Sequence, residues 1–378
     1  AETLTAIAEF HAALTRNYDE DDVRCTIMSE AAGTPPVVSP GITLQKRDMV
    51  LYVTFFESFL RKNRVAFAET LIELATTDER IVAVVNDSVG SSNLTKFREL
   101  FPNRLINVGI AEQNMVGVGA GLANAGLIPF VCAAGPFLTG RATEQVKADV
   151  AYSNVPVILC GMSPGMAYGE LGPTHHSVED FSWMRTLPGL DVVVPVDDPQ
   201  TRKAVRWAAE AKRPMYLRVG RHKVPNVTTP ATDWQLGKWN NLTGVGQESA
   251  ISSVDVTIVA TGTQVSRALG AVEILKAKGV SAAVLNAGFI APLDLAALQA
   301  AATVSRAIVT AEEANVAGGL GAAVASAMAQ FPSAARKPMA ILGVTAWAPT
   351  NSTEGLLEYF GLTAEGIAQS ALEVLARD

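Results

Sequence analysis

Two short segments of the 378-residue chain hold the side chains best placed for acid–base and hydrogen-bonding chemistry. In Asn107-Val-Gly-Ile-Ala-Glu-Gln-Asn-Met115, Glu112 stands at the head of a glycine-rich run that is otherwise uncharged. Helical periodicity would bury that run. Such a carboxylate either rests on the free amides and dipole of a helix N-terminus, worth about 0.3–1 kcal/mol, or shares a proton with a ligand nitrogen. Gly172-Pro-Thr-His-His176 places two adjacent histidines in a Gly/Pro loop, with Glu179 and Asp180 just beyond. Loops past the carboxyl ends of strands are where α/β sheets receive ligands; a pair of surface histidines is the plainer alternative. Consecutive side chains point apart and no ligand set of useful spacing surrounds them, so no metal site is expected.

Three further segments are weaker signals. Leu217-Arg-Val-Gly-Arg-His222 carries two arginines that could clamp an anion at a strand end, or pair with linker carboxylates. Asn86-Asp-Ser-Val-Gly-Ser-Ser-Asn93 is a small polar turn suited to hydrogen bonding. Glu312-Glu-Ala-Asn-Val-Ala-Gly-Gly-Leu-Gly321 resembles a glycine-opened helix start. It lacks both the P-loop Lys-Ser/Thr and dinucleotide-type spacing, so its glycines read as close backbone packing.

The elements that position these residues follow from periodicity. From Arg64 onward, amphipathic stretches alternate with continuous apolar runs such as RIVAVVND, LIPFVCAA and VPVILCG, and the alternation resumes at Val254 with VDVTIVATG, VSAAVLN, SRAIVTAEE and MAILGV. Continuous apolar strands between helices predict parallel sheets covered on both faces, an α/β fold in two domains. A helix is expected over Gly109–Ala125 and another over Thr143–Tyr152. The predicted organisation is an N-terminal helix and loop (1–60), a first α/β domain (61–221), a linker (222–250) and a second α/β domain (251–378).

Composition narrows the function classes. Thirty basic against 37 acidic residues give a net charge of −7 with no long basic stretch, which argues against nucleic acid as the main partner. Three scattered cysteines without a CxxC pair suit a reduced, cytoplasmic setting. The uncharged stretch from Met115 to Gly140 is long enough to raise the question of a membrane span. Its glycines and prolines argue instead for a buried helix followed by a buried strand, so no membrane is expected.

The segments GIAEQNMVGVGAGLANAG, FLTGRATEQVKADVAY, GPTHHSVED, LPGLDVVVPVDDPQ, TIVATG and EEANVAGGLG occur in the order found in transketolases. From about residue 62 to the end, the chain resembles the C-terminal half of that family, a pyrimidine-binding domain followed by the transketolase C-terminal domain. The resemblance implies ketol transfer with thiamine diphosphate. Glu112 matches the glutamate that meets the aminopyrimidine N1′ and acts in catalysis. Phe137, Asp87 and Ile110 match the cofactor's surroundings. His175 matches the histidine that meets substrate oxygens near the reacting carbon, with His176 beside it, at the rim or structural. Arg221, Arg64, Ser91 and Ser92 match positions that hold the substrate phosphate.

Two departures stand out. The family's GDG…N motif for the magnesium-diphosphate end of the cofactor is absent from this sequence. That implies a split transketolase whose large partner subunit holds the diphosphate and Mg2+, assembled as α2β2 and acting on sugar or sugar-like substrates. Leu171 stands where many transketolases have an aspartate that meets a substrate hydroxyl, which implies an altered substrate preference. A second family aromatic is also replaced near Gly140–Arg141. The competing readings are the β-type subunit of a 2-oxo acid dehydrogenase, a deoxyxylulose-phosphate synthase relative, and a non-catalytic regulatory paralogue.

Overall fold

In the computed structural model, described residues are 37–39, 42–43, 60–243 and 253–377. The chain forms two units, Ala1–Leu60 and Arg61–Asp378. In the first, Val37–Ser39 pairs antiparallel with Ile42–Thr43, a pairing that falls inside the expected loop. The helix expected within this N-terminal segment lies outside the described residues.

The second unit opens with α1 (Asn63–Thr77), followed by β1 (Ile81–Val85), α2 (Thr95–Leu100), β2 (Leu105–Asn107), α3 (Glu112–Asn124) and β3 (Ile128–Ala134). Two π-helical turns, Phe137–Arg141 and Val146–Tyr152, flank the helical turn Thr143–Gln145. The expected helix over Thr143–Tyr152 is thus mostly wider-wound, and the first π-turn was not legible at all. β4 (Ile158–Met162), α4 (Asp180–Arg185), β5 (Asp191–Val193), α5 (Asp198–Ala211) and β6 (Met215–Val219) complete this part.

After a short β7 (Asn240–Asn241) come β8 (Val254–Ala260), α6 (Gln264–Ala277), β9 (Ala282–Asn286), β10 (Phe289–Ala291), α7 (Leu295–Val304) and β11 (Ser305–Asn315). α8 (Leu320–Ala329), β12 (Met339–Val344), α9 (Thr353–Tyr359) and α10 (Ala364–Leu375) close the chain. The first sheet has the order β10-β5-β6-β4-β3-β1-β2 and the second β7-β9-β8-β11-β12. All pairings are parallel except those of β10 and β7, which lie antiparallel at the edges.

The strands are apolar throughout because both faces are covered. All five residues of β1, β4 and β6 are buried. β10 belongs by sequence to the second alternating region, yet it pairs with β5 of the first sheet. The cause is Phe289, fully buried, whose ring lies 4.9 Å from Trp234 and 5.6 Å from Trp207. The uncharged stretch resolves into α3 and β3 as expected. Gly119 makes that packing possible, because a Cβ there would lie 2.5 Å from a methyl of Val131. Among the described residues no helix is long and apolar enough to cross a membrane.

The Glu312 carboxylate accepts the amides of Leu320 and Gly321 at 2.6 and 2.7 Å, closing the start of α8. A Cβ on Gly319 would overlap that carboxyl at 1.9 Å, which explains the glycine run as close packing. Burial, partly offset by those amides and by Arg218 and Arg185, pushes the Glu312 pKa up to about 7.

Candidate active site

Parallel pairing sets Val85 of β1 opposite Asn107 of β2. The polar residues beyond those strand ends therefore meet the N-terminus of α3. Glu112 is 1% exposed there. Its Oε1 accepts a hydrogen bond from Asn86 Nδ2 at 3.0 Å, and Asn86 Oδ1 in turn accepts the Ser88 amide at 3.0 Å. Its Oε2 pairs with Arg141 Nη1 at 2.7 Å. Burial raises the Glu112 pKa. The Arg141 hydrogen bond, its own backbone amide, Asn86 and the Arg141 charge outweigh that, so the carboxyl sits below the usual range.

Arg141 reaches Glu112 because the π-turn carries it alongside Phe137, over whose ring its guanidinium lies at 4.6 Å. A π-turn inserted at a site is a recurrent way of re-aiming side chains. Gly140 lets the turn lie against Trp183, since a Cβ would meet that indole at 2.9 Å. Removing the cation should weaken the downward shift of Glu112. In Arg141→Met, burial is opposed only by the backbone amide and Asn86, and carboxyl-carbon NMR should show Glu112 titrating at higher pH than in the wild type. A titration unchanged from wild type would mean that Arg141 does not set its charge.

From Phe137 the contacts continue outward. The His175 ring stands edge-on to Phe137 at 5.3 Å and to Tyr168 at 6.2 Å. Thr174 Oγ1 lies 3.0 Å from His175 Nδ1, leaving Nε2 as the nitrogen that can meet a substrate. The Arg221 guanidinium lies 4.8 Å over the Tyr168 ring. Arg64 donates from Nη1 to the Ser91 carbonyl at 3.2 Å. Burial and then the Arg221 charge depress the Arg64 pKa, and burial followed by Arg64, Lys223 and Arg221 depresses that of Lys62. Four cations thus converge, an arrangement that an anion would relieve. Among the described residues, buried Ser92 Oγ and Arg64 Nε have no hydrogen-bond partner.

The remaining sequence-named residues are placed differently. Asp87 is exposed, and Ile110 and Leu171 are exposed at 72% and 54%. His176 is buried and turns away into another cavity, beside Asn315 and Trp347. The two arginines of Leu217–His222 do not act as one clamp. Arg218 is buried against Asp180, with Nε to Oδ2 at 2.7 Å, while Arg221 alone faces the cleft. His222 Nε2 lies 3.2 Å from Thr353 Oγ1. Among the described residues no three His, Cys, Asp or Glu side chains gather to hold a metal ion.

Residues 61–226 match the transketolase pyrimidine binding domain, and residues 251–367 match the transketolase C-terminal domain. The chain belongs to the transketolase family. One of the apulose-4-phosphate transketolase subunits of Phocaeicola vulgatus is 40% identical over 319 residues, covering 83% of this chain and 97% of its own. The 6-deoxy-6-sulfo-D-fructose transketolase subunit SqwH of a Clostridium species is 38% identical over 315 residues, covering 83% and 94%. A solved structure described as a split gene transketolase, an inactive beta4 tetramer, superposes with a TM-score of 0.75 at 35% identity, covering 83% of this chain and 98% of that one.

The buried carboxyl of Glu112, joined through Arg141 to the Phe137 ring, offers the hydrogen-bonding group and the flat apolar ring that an aminopyrimidine would need. Sequence reasoning missed Arg141 and Asn86 as partners of Glu112, Tyr168 as the bridge to Arg221, and Lys62 and Lys223 in the cationic group. Of these only Asn86 left a signal, as the first residue of the polar turn Asn86–Asn93.

Proposed function

We propose that this chain is the small subunit of a split transketolase-like enzyme that moves a two-carbon ketol unit from a ketose donor to an aldehyde acceptor. The observation that carries the reading is one unbroken run of contacts: Glu112, Arg141, Phe137, His175, Tyr168, Arg221. It starts at a buried carboxyl and ends at a cationic group, the layout needed by a substrate with a reacting carbonyl and an anionic tail. Thiamine diphosphate supplies a nucleophilic carbon and an electron sink when bound. Within this chain Glu112 would hold the proton facing the pyrimidine, on the oxygen that now meets Arg141. Phe137 would pack on that ring. His175 Nε2 would orient substrate oxygens at the reacting carbon. Arg221, Arg64 and Ser91–Ser92, with Lys62 and Lys223, would hold the tail.

Mg2+ and the diphosphate fall, on this reading, to a large partner protein with a GDG…N segment, in an α2β2 assembly. Exposed Ile110, next to Glu112, and exposed Leu171, in the histidine loop, are apolar surface of the kind a partner covers. A cytoplasmic setting accompanies this reading, Cys132 and Cys160 being free thiols.

Arg221→Met should raise KM for a phosphorylated acceptor by one to two powers of ten, a charged hydrogen bond being worth about 1.5–3 kcal/mol. KM for an uncharged aldehyde should hardly move; equal effects on both would remove Arg221 from the tail site. The function itself is tested by reconstituting the chain with such a large partner and assaying ketol transfer from ketose phosphates. A complex that binds the cofactor and consumes 2-oxo acids, but transfers no ketol unit, would favour the dehydrogenase-type reading.

A further inference from the structure

We propose that Thr353 is a positioning residue whose hydroxyl keeps the histidine loop and the Arg221 arm in register. The C-terminal domain thereby sets the spacing between the reacting carbon and the anionic tail. The inference rests on the reading of Arg221 as the residue that holds the tail. Thr353 opens α9 and is 8% exposed. Its Oγ1 donates to the Met166 carbonyl at 3.1 Å and lies 3.2 Å from His222 Nε2. A hydroxyl has one proton and a carbonyl only accepts, so both bonds form together when His222 carries a proton on Nε2.

Each partner leads to one end of the site. Gly165 and Ser177 exchange backbone hydrogen bonds at 2.9 and 2.7 Å, closing the neck of the loop that carries Tyr168 and His175. Met166 lies just inside that neck, fully buried, and its amide donates to Glu313 Oε1 at 2.7 Å. His222 follows Arg221, whose guanidinium lies 4.8 Å over the Tyr168 ring. One hydroxyl thus ties the chain just before Tyr168 to the chain just after Arg221. The Asn351 amide adds a second tie to the same loop, donating to the Gly169 carbonyl at 3.2 Å. A buried carbonyl that loses its donor has no water to replace it, so without the hydroxyl the loop and the arm would shift apart. Only a substrate that spans both ends feels their spacing.

Thr353→Val keeps the shape of the side chain and removes both bonds, whereas Thr353→Ser keeps the hydroxyl. In the full chain, NMR of the Arg221 guanidinium should show its ring-current shift from Tyr168 shrink in Thr353→Val and return in Thr353→Ser. Tyr168→Leu identifies that shift. In the enzyme reconstituted with its large partner, Thr353→Val should raise KM for a phosphorylated acceptor by up to about tenfold, the scale of a neutral hydrogen bond. KM for an uncharged aldehyde should hardly move, and Thr353→Ser should restore the wild-type value. Added to Arg221→Met, Thr353→Val should change KM no further, because the residue it acts through is already gone. An Arg221 shift identical in wild type and Thr353→Val would overturn the proposal. So would KM values that rise equally for both acceptors, or effects of the two substitutions that simply add. A wild-type assembly without ketol transfer would instead remove the reading of the site, and the Arg221 shift would still decide whether Thr353 holds the arm in place.

Discussion

Glu112→Gln should lower ketol transfer in the reconstituted enzyme by about 10²–10⁴-fold, the usual scale for removing a proton-transferring group. The amide keeps the shape of the side chain and can still meet Asn86 Nδ2 through its carbonyl oxygen. What it loses is the ability to take up and release a proton at the oxygen now paired with Arg141. Arg141 is 46% exposed on its side chain, so it can turn to water when its partner is neutralised. The fold should therefore survive, and the loss should fall on kcat at unchanged thermal stability and cofactor affinity. Near-normal kcat in a folded, cofactor-loaded variant would take Glu112 out of the chemistry.

Arg218→Met should cost more stability than any of the other substitutions named above. Arg218 and Asp180 are 5% and 0% exposed on their side chains, joined at 2.7 Å. The same guanidinium donates to the carbonyls of Ser177 at 3.2 Å and Glu313 at 2.9 Å, while Tyr216 donates its hydroxyl to Asp180 at 2.8 Å. One cation thus ties β6 to α4, to the residue after the two histidines, and to β11. Deleting it leaves the Asp180 carboxylate buried without its counter-charge, which costs about 3–5 kcal/mol. Pairing Arg218→Met with Asp180→Asn should recover part of that loss, because the orphaned charge is gone. Urea denaturation of the single and double variants measures both. A single-variant loss below about 1 kcal/mol, the scale of an exposed pair, would show that the network does not hold these elements together.

The sequence made the strands and long helices legible because continuous apolar runs have few other places to go. It also singled out Glu112, since one carboxylate heading an uncharged helix is a local pattern. Long-range placement was not readable. Arg218 and Arg221 look equivalent three residues apart, yet strand alternation and Gly220 send one into the Asp180 network and the other toward Tyr168. His175 and His176 diverge likewise, as adjacent side chains must. Phe289–Ala291 joined the first sheet through aromatic packing with Trp207 and Trp234, residues far away in sequence. The π-turn at Phe137–Arg141 has no sequence period of its own, so the contact between Arg141 and Glu112 could be found only in three dimensions.

That this chain supplies the carboxyl activating a cofactor held by a partner is tested most directly by proton exchange. The rate to measure is that at which the C2 proton of thiamine diphosphate exchanges with D2O, read by quenched-flow NMR. The partner with Mg2+ and cofactor is compared in the presence and absence of this chain, and then with its Glu112→Gln variant. Exchange should be slow without the chain, faster by orders of magnitude with it, and slow again or nearly so with the variant. Exchange that is equally fast without the chain, or unaffected by Glu112→Gln, would contradict that role.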